Sequence, residues 1–346
     1  MEPTMKFSTP VILFAACAST SIACAQSSVT LFGVADTAVR STSSGGASAQ
    51  TIGSGGYAAS RYGLRTQEDL GGGLAAGAWL EGTVNFNDGS GNSSRYWNRR
   101  STVSLLGSLG ELRIGHDLTP GYTSFGEFDV FGVSGLADQG KFYSTAFGSG
   151  IEATGLWARA DNMVSYFTPA DLGGFYANVA VAAGNATPAK KYSGARIGYA
   201  NQTLNVTAAY SVFDGLAGDL KRTAIAGSYN SAGVTLMASA VRNTYLTASR
   251  WVTQIGGMVP VGPGRFRMNY TWANNMGSLN GSSIGKDDAT QLAVGYVYDL
   301  SKRTTLYATY VNLRNQGNAN FAVSTPPSVA GGQASRGTEF GISHRF

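Results

Sequence analysis

The sequence predicts an all-β fold, a 16-stranded antiparallel transmembrane β-barrel, on three observations. Apolar and polar residues alternate in segments of about ten from Ser28 onward, turn signals alternate between short and long, and no apolar run after the first 25 residues is long enough for a spanning helix. Counting segments gives about sixteen strands.

The segments show why. On the first, Val29, Leu31, Gly33 and Ala35 share one face while Thr30, Asp36 and Arg40 fall on the other, as alternate side chains of a strand must. On the third, Leu74, Ala76, Ala78, Leu80, Val84 and Phe86 line one face, with Glu81 and Asn85 on the other. Short turns rich in Gly, Pro and Asn occur at Asp69–Gly73, Ser108–Gly110, Asp171–Gly174, Asn230–Gly233 and Gly262–Gly264. Longer Gly/Ser/Asn-rich stretches are expected as loops around 41–57, 87–95, 117–158, 275–286 and 315–335.

Composition agrees with one lipid-facing and one wet face. The 346 residues include 47 Gly, 17 Tyr and 16 Phe, and only 13% are charged. No composition break marks a second domain, so residues 26–346 are read as one barrel. Residues 1–25 read as a signal peptide, with Lys6, the apolar run Val11–Ala18 and the small-residue site Ala23-Cys24-Ala25. Met1 and Met5 both remain candidate starts. Cys17 and Cys24 lie inside this leader, and the residues before them fit a lipoprotein site poorly, so the mature chain has no disulfide.

The net charge is +5. Its Lys and Arg residues are dispersed rather than clustered in a tail, which disfavours nucleic acid as a partner. No HExxH, CxxC, GxGxxG or P-loop pattern is present, and His116 and His344 sit in no nucleophile motif, so no enzyme and no cofactor are expected. Calcium at the acidic loop Lys286-Asp287-Asp288 rests on two carboxylates only. Trp79, Trp97, Trp157, Trp251 and Trp272 are scattered and are read as anchors at the membrane interface. The final strand would place Phe340, Ile342 and Phe346 outward and pair with the first strand to close the barrel.

Several motifs resemble the Gram-negative general porins, in particular the beta-proteobacterial trimeric branch with arginine-lined, anion-selective members. They are Ser28–Asp36, Arg61-Tyr62-Gly63-Leu64-Arg65, Glu68–Leu74, Arg99-Arg100-Ser101-Thr102-Val103-Ser104-Leu105 and the ending His344-Arg345-Phe346. The resemblance implies an outer-membrane homotrimer, exported through the periplasm and surrounded by lipid. Its water-filled lumen would pass small hydrophilic solutes, chiefly small anions. It implies an inward-folded third extracellular loop, here 117–158, and a C-terminal assembly signal at Phe346. By motif it maps constriction arginines to Arg61, Arg99 and Arg159, facing Glu127 and Asp129 on the loop.

Adjacent Arg99 and Arg100 cannot both face the lumen on a regular strand. Alternation favours Arg100, the resemblance favours Arg99, and a bulge would reconcile them. Two departures weaken the expected anion preference. Gly115-His116-Asp117 replaces the Gly-Arg-Gln of many relatives, and Glu127 adds a carboxylate. A weakly selective or cation-preferring pore, or an adhesive barrel, stand as alternatives.

Overall fold

A closed antiparallel barrel is what the alternating segments build. The computed structural model describes residues 28–144, 158–184, 191–215 and 218–346. The leader with Cys17 and Cys24, Trp157, and residues 145–157 of the long loop lie outside the described residues.

The first strands are β1 (Ser28–Ser44), β2 (Ala47–Ser54), β3 (Arg61–Gly71), β4 (Leu74–Thr83), β5 (Arg100–Gly107) and β6 (Gly110–Leu118). After the long loop come β7 (Arg159–Phe167), β8 (Phe175–Ala183), β9 (Lys191–Ala200), β10 (Leu204–Phe213), β11 (Leu220–Ser231) and β12 (Val234–Tyr245). The barrel is completed by β13 (Ala248–Val261), β14 (Gly264–Leu279), β15 (Ser282–Ser283), β16 (Ala289–Asp299), β17 (Thr304–Asn315) and β18 (Ser335–Arg345).

These segments occupy sixteen positions around the barrel. β2 and β3 succeed each other along one side of β1, and β15 only extends the β14–β16 hairpin. β18 pairs with β1 from Val34↔Arg345 to Ser44↔Ser335, which leaves no open edge.

Two stretches expected as loops are instead largely strand. Residues 41–54 form the hairpin of β1 and β2 around a tight turn at Gly45-Gly46, and 275–283 carry β14 through a turn into β15, while 55–57 and 284–286 stay outside the strands. Their Ser, Thr and Gly content resembles a loop, but paired Ser and Thr face water as readily on a strand.

The two faces are chemically distinct. Leu31, Val103, Ile197, Ile225, Ile255 and Phe340 are exposed on the outside, where lipid replaces water. Inward positions hold Asn243, Gln254, Asn269, Thr271 and Gln291, all buried under the long loop or one another. Phe346 lies on the outer face, its backbone paired with Gly33 at 3.0 and 3.2 Å, and a Cβ on Gly33 would strike its ring.

The long loop folds against the inner wall. It opens with helix α1 (Pro120–Gly126), started by Thr119, whose hydroxyl accepts from the Tyr122 N–H, and by Pro120 in the first turn. A second helical turn, α2 (Lys141–Ser144), follows. Gly121 lets α1 touch β10, since a Cβ there would lie 2.3 Å from the Ser211 hydroxyl.

Phe125, Phe128, Phe131, Leu136, Phe142 and Tyr143 are all nearly inaccessible between loop and wall. Each buried ring or leucine contributes roughly 1.5–3 kcal/mol to holding the loop. Polar contacts fix its register: Gln254 donates to the Phe128 carbonyl at 3.2 Å, Gln291 to Ala137 at 2.9 Å, and Arg250 to Phe142 at 3.0 Å.

Because the loop is held by apolar burial, Phe128→Ala should cost it roughly 3–5 kcal/mol of anchoring. Single-channel recording should then show a larger, noisier conductance while the barrel keeps its resistance to unfolding in detergent electrophoresis. An unchanged open-channel current would contradict this anchoring role.

Candidate functional site: the lumen constriction

Where the loop meets the opposite wall, it leaves a cavity of about 490 Å³. Arg61, Arg99, Arg159, Arg265, Arg267 and Arg345 line it, with Asp129 and Asp138 from the loop. The three arginines and Asp129 singled out in the sequence are therefore brought together.

Strand geometry places the first three. Arg61 opens β3 midway along β1, opposite Val34, and Arg159 opens β7 after the long loop, and both side chains line the cavity. Arg99 precedes β5, and its N–H donates to the Glu81 carbonyl at 3.1 Å. Glu81 on β4 gathers the group, for its Oε1 lies 2.6 Å from Arg99 Nε and 3.7 Å from Arg61 Nε. Its Oε2 accepts from the Trp79 indole N–H at 3.3 Å. Arg159 donates from Nε to the Arg99 carbonyl at 2.7 Å.

Arg99 and Arg100 both face the lumen without a bulge, since β4 and β5 pair in an unbroken register. Arg99 sits just outside the strand and so escapes its alternation. Arg100 obeys it: Val103 and Leu105 point outward, and Arg100 donates to the Thr102 hydroxyl at 3.0 Å and lies 3.7 Å from Asp117. It belongs to a second cavity nearer the short-turn end, not to the constriction.

Glu127 does not face these arginines. It forms a two-pronged ion pair with Arg196 on β9, tying α1 to the far wall, and lines no part of the cavity. Loop acids one helical turn from a bend point where the local backbone sends them, which sequence order alone does not give. His116 and Asp161 are also absent from the cavity lining. They pair with each other at 2.6 Å, with Arg95 on the same carboxylate.

Trp79 is not an interface anchor. Its ring faces the lumen, with the Arg100 guanidinium 4.3 Å from its centre. Odd-numbered β4 residues share the inward face with Glu81, which was the available signal.

Asp129 is buried, and its carboxylate accepts from the backbone N–H of Phe131 at 2.9 Å and of Val133 at 3.0 Å. Burial pushes its pKa up to about 6, against those two hydrogen bonds. Asp138 is pushed up by burial too, with Lys141 beside it opposing the shift. Burial lowers Lys141 to about 8, and its ammonium donates to the Leu136 carbonyl and to Gln291.

Sequence reading missed Arg265, Arg267 and Arg345. Arg265 pairs with Asp299 at 2.6 Å and donates to the Tyr57 hydroxyl at 2.8 Å. Arg267 is buried with its guanidinium 4.3 Å from the Phe131 ring centre. Tyr57 reaches the cavity because Asp36, 1% exposed, accepts from the N–H groups of Gly56, Tyr57 and Ala58 and from the Tyr307 hydroxyl.

Among the described residues no group of three or more His, Cys, Asp or Glu could hold a metal. Asp287 and Asp288 accept backbone N–H groups of Asn318 and Asn275, closing their loop.

The chain resembles known proteins along nearly its whole length. It is 34% identical to outer membrane porin protein 32 of Delftia acidovorans, covering 97% of this chain and 99% of that protein. The solved structure of an anion-selective porin from Comamonas acidovorans superposes with a TM-score of 0.83 at 32% identity, over 93% of this chain and all of that one. The trimer form of OmpT from Vibrio cholerae shares the fold, with a TM-score of 0.65 at 15% identity, over 92% of this chain and 99% of that one. A family model described as Gram-negative porin matches residues 13–318, and the chain is an outer-membrane member of that porin family.

Proposed function

We propose that this porin is anion-preferring and passes small organic and inorganic anions, with the Arg61, Arg99 and Arg159 cluster as its selectivity site. The observation that carries the reading is the cavity itself, where six arginines meet two loop carboxylates. Arginine stays charged at any physiological pH, and a guanidinium offers a carboxylate or phosphate two parallel donors. In a narrow aqueous gap with low-dielectric walls, that excess of positive charge raises the local concentration of anions and repels cations.

No covalent step is involved. A solute sheds part of its hydration shell in the gap, and the guanidinium N–H groups replace it for an anion but not for a cation. The arginines on the wall and Asp129 on the loop also create a field across the gap, which orients dipolar solutes. The similar porin from Comamonas acidovorans is anion-selective, which supports the same sign.

Glu81 enters this reading as the group that holds Arg61 and Arg99 at one place. Glu127 drops out, since Arg196 neutralises it away from the gap. Phe346 serves as the C-terminal assembly signal, supported by its exposed outward ring at the barrel seam.

We also propose a homotrimer, for which the trimer form of OmpT is the fold-level precedent. Cross-linking of membranes under mild detergent should give a ladder ending at three chains; a single monomer band would contradict it.

Replacing Arg61 or Arg99 by Gln should lower the chloride-to-potassium permeability ratio by about threefold or more, read from reversal potentials in a KCl gradient. An unchanged ratio in both variants would remove the cluster from selectivity.

Acidification tests the opposing charge. Asp129 is ionised above about pH 6 and neutral below it, so lowering the pH removes a negative charge from the gap. Chloride preference should therefore rise as pH falls through about 6, and Asp129→Asn should reduce that step, leaving the share carried by Asp138. A fall in preference over the same range would contradict the sign.

A further inference from the structure

Below the constriction, toward the short turns, lies a second cavity of about 410 Å³ on the same wall. β3 and β4 connect the two. Arg61 and Arg65 are four residues apart on one face of β3, roughly 13 Å along the strand, and Trp79 is two residues from Glu81 on β4. The constriction function leaves this cavity unused.

Its groups have different amounts of free capacity. Arg113 is saturated by Glu111 and Asp117, at 2.8 and 2.7 Å. Arg100 lies against the Trp79 ring, with Asp117 at 3.7 Å. Phe32 holds the indole from the side, edge-on at 5.2 Å between centres. Arg65 is exposed to the cavity, 5.9 Å from the Trp79 ring, and makes no ion pair among the described residues.

A guanidinium with no ion pair thus lies over an indole ring that also carries the Arg100 guanidinium, a polarisable surface with spare charge at its rim. Chloride or acetate would use the charge and leave the ring bare. A planar aromatic acid uses both, its ring lying on a polarisable surface and its carboxylate reaching Arg65.

We infer that this cavity is a binding subsite for aromatic carboxylates, in which Arg65 takes the carboxylate and Trp79 with Arg100 takes the ring. The subsite rests on the proposed anion-conducting lumen, and it adds a preference by shape that charge alone does not supply. An aromatic acid would leave the constriction by stepping from Arg61 and Arg99 to Arg65.

The test compares benzoate with cyclohexanecarboxylate, acids of the same charge and similar size that differ in the π-face. The protein is inserted in planar bilayers in KCl, each acid is added in turn, and residence times are read from current noise. Benzoate should reside about threefold longer than its saturated counterpart. Trp79→Phe should keep that ratio and Trp79→Leu should bring it to one, although both lose the indole N–H donated to Glu81. Arg65→Gln should shorten the residence of both acids alike.

Equal residence of the two acids in the unaltered protein overturns the subsite, as does a ratio that survives Trp79→Leu or residence times indifferent to Arg65→Gln. The KCl reversal potential of the unaltered protein, measured in the same experiment, separately tests the anion-conducting reading. A cation-preferring value with an intact benzoate ratio would contradict only that reading.

Discussion

One carboxylate organises the arginine-lined gap between the loop and the barrel wall. Two guanidinium groups within a few Å of each other repel by roughly 2–4 kcal/mol at the effective dielectric near 20 that suits partly buried sites. Arg61 and Arg99 tolerate this because Glu81 Oε1 lies between them, while the Trp79 indole N–H fixes the other carboxylate oxygen. Arg159, bonded to the Arg99 carbonyl, joins the same cluster without a carboxylate of its own. One negative charge therefore assembles three positive ones, and a surplus of positive charge remains.

That surplus matters only because the lumen is narrowed where it stands. A sixteen-stranded barrel is wide, and charge on a wide wall is screened within about 8–10 Å by ordinary salt. The loop from Thr119 to Ser144 brings the opposite wall within reach. Its aromatic residues are buried against β10 to β17, and Glu127, Gln254, Gln291 and Glu339 fix its place. The apolar face of the loop sets the gap, and the polar face supplies Asp129 and Asp138 to it. One segment thus both packs on the wall and lines the gap.

The barrel was largely legible in the sequence because the side-chain period of a strand is two and one face meets lipid. Val103 and Leu105 point outward as alternation requires, and the same rule put Arg100 in the lumen. Hairpins built from Ser, Thr and Gly, such as Gly45-Gly46 and its flanks, were not legible, since those residues suit loops and wet strand faces equally.

In the site, Arg61, Arg99 and Arg159 were reached through resemblance, whereas Arg265 and Arg267, two apart on β14, were open to the alternation rule alone. Glu127 was misplaced because a loop side chain has no period to orient it. Trp79 was misread because a tryptophan on a barrel strand suits the lipid interface as well as the lumen, and only its register with Glu81 separates the two.

The most direct test is to see which ion occupies the gap. Crystals of the protein soaked in bromide and, separately, in caesium would locate each ion by anomalous scattering. Bromide should appear against Arg61, Arg99 and Arg159, with no caesium in the same cavity. Caesium at that position, or bromide confined to sites elsewhere, would contradict an arginine-controlled anion channel.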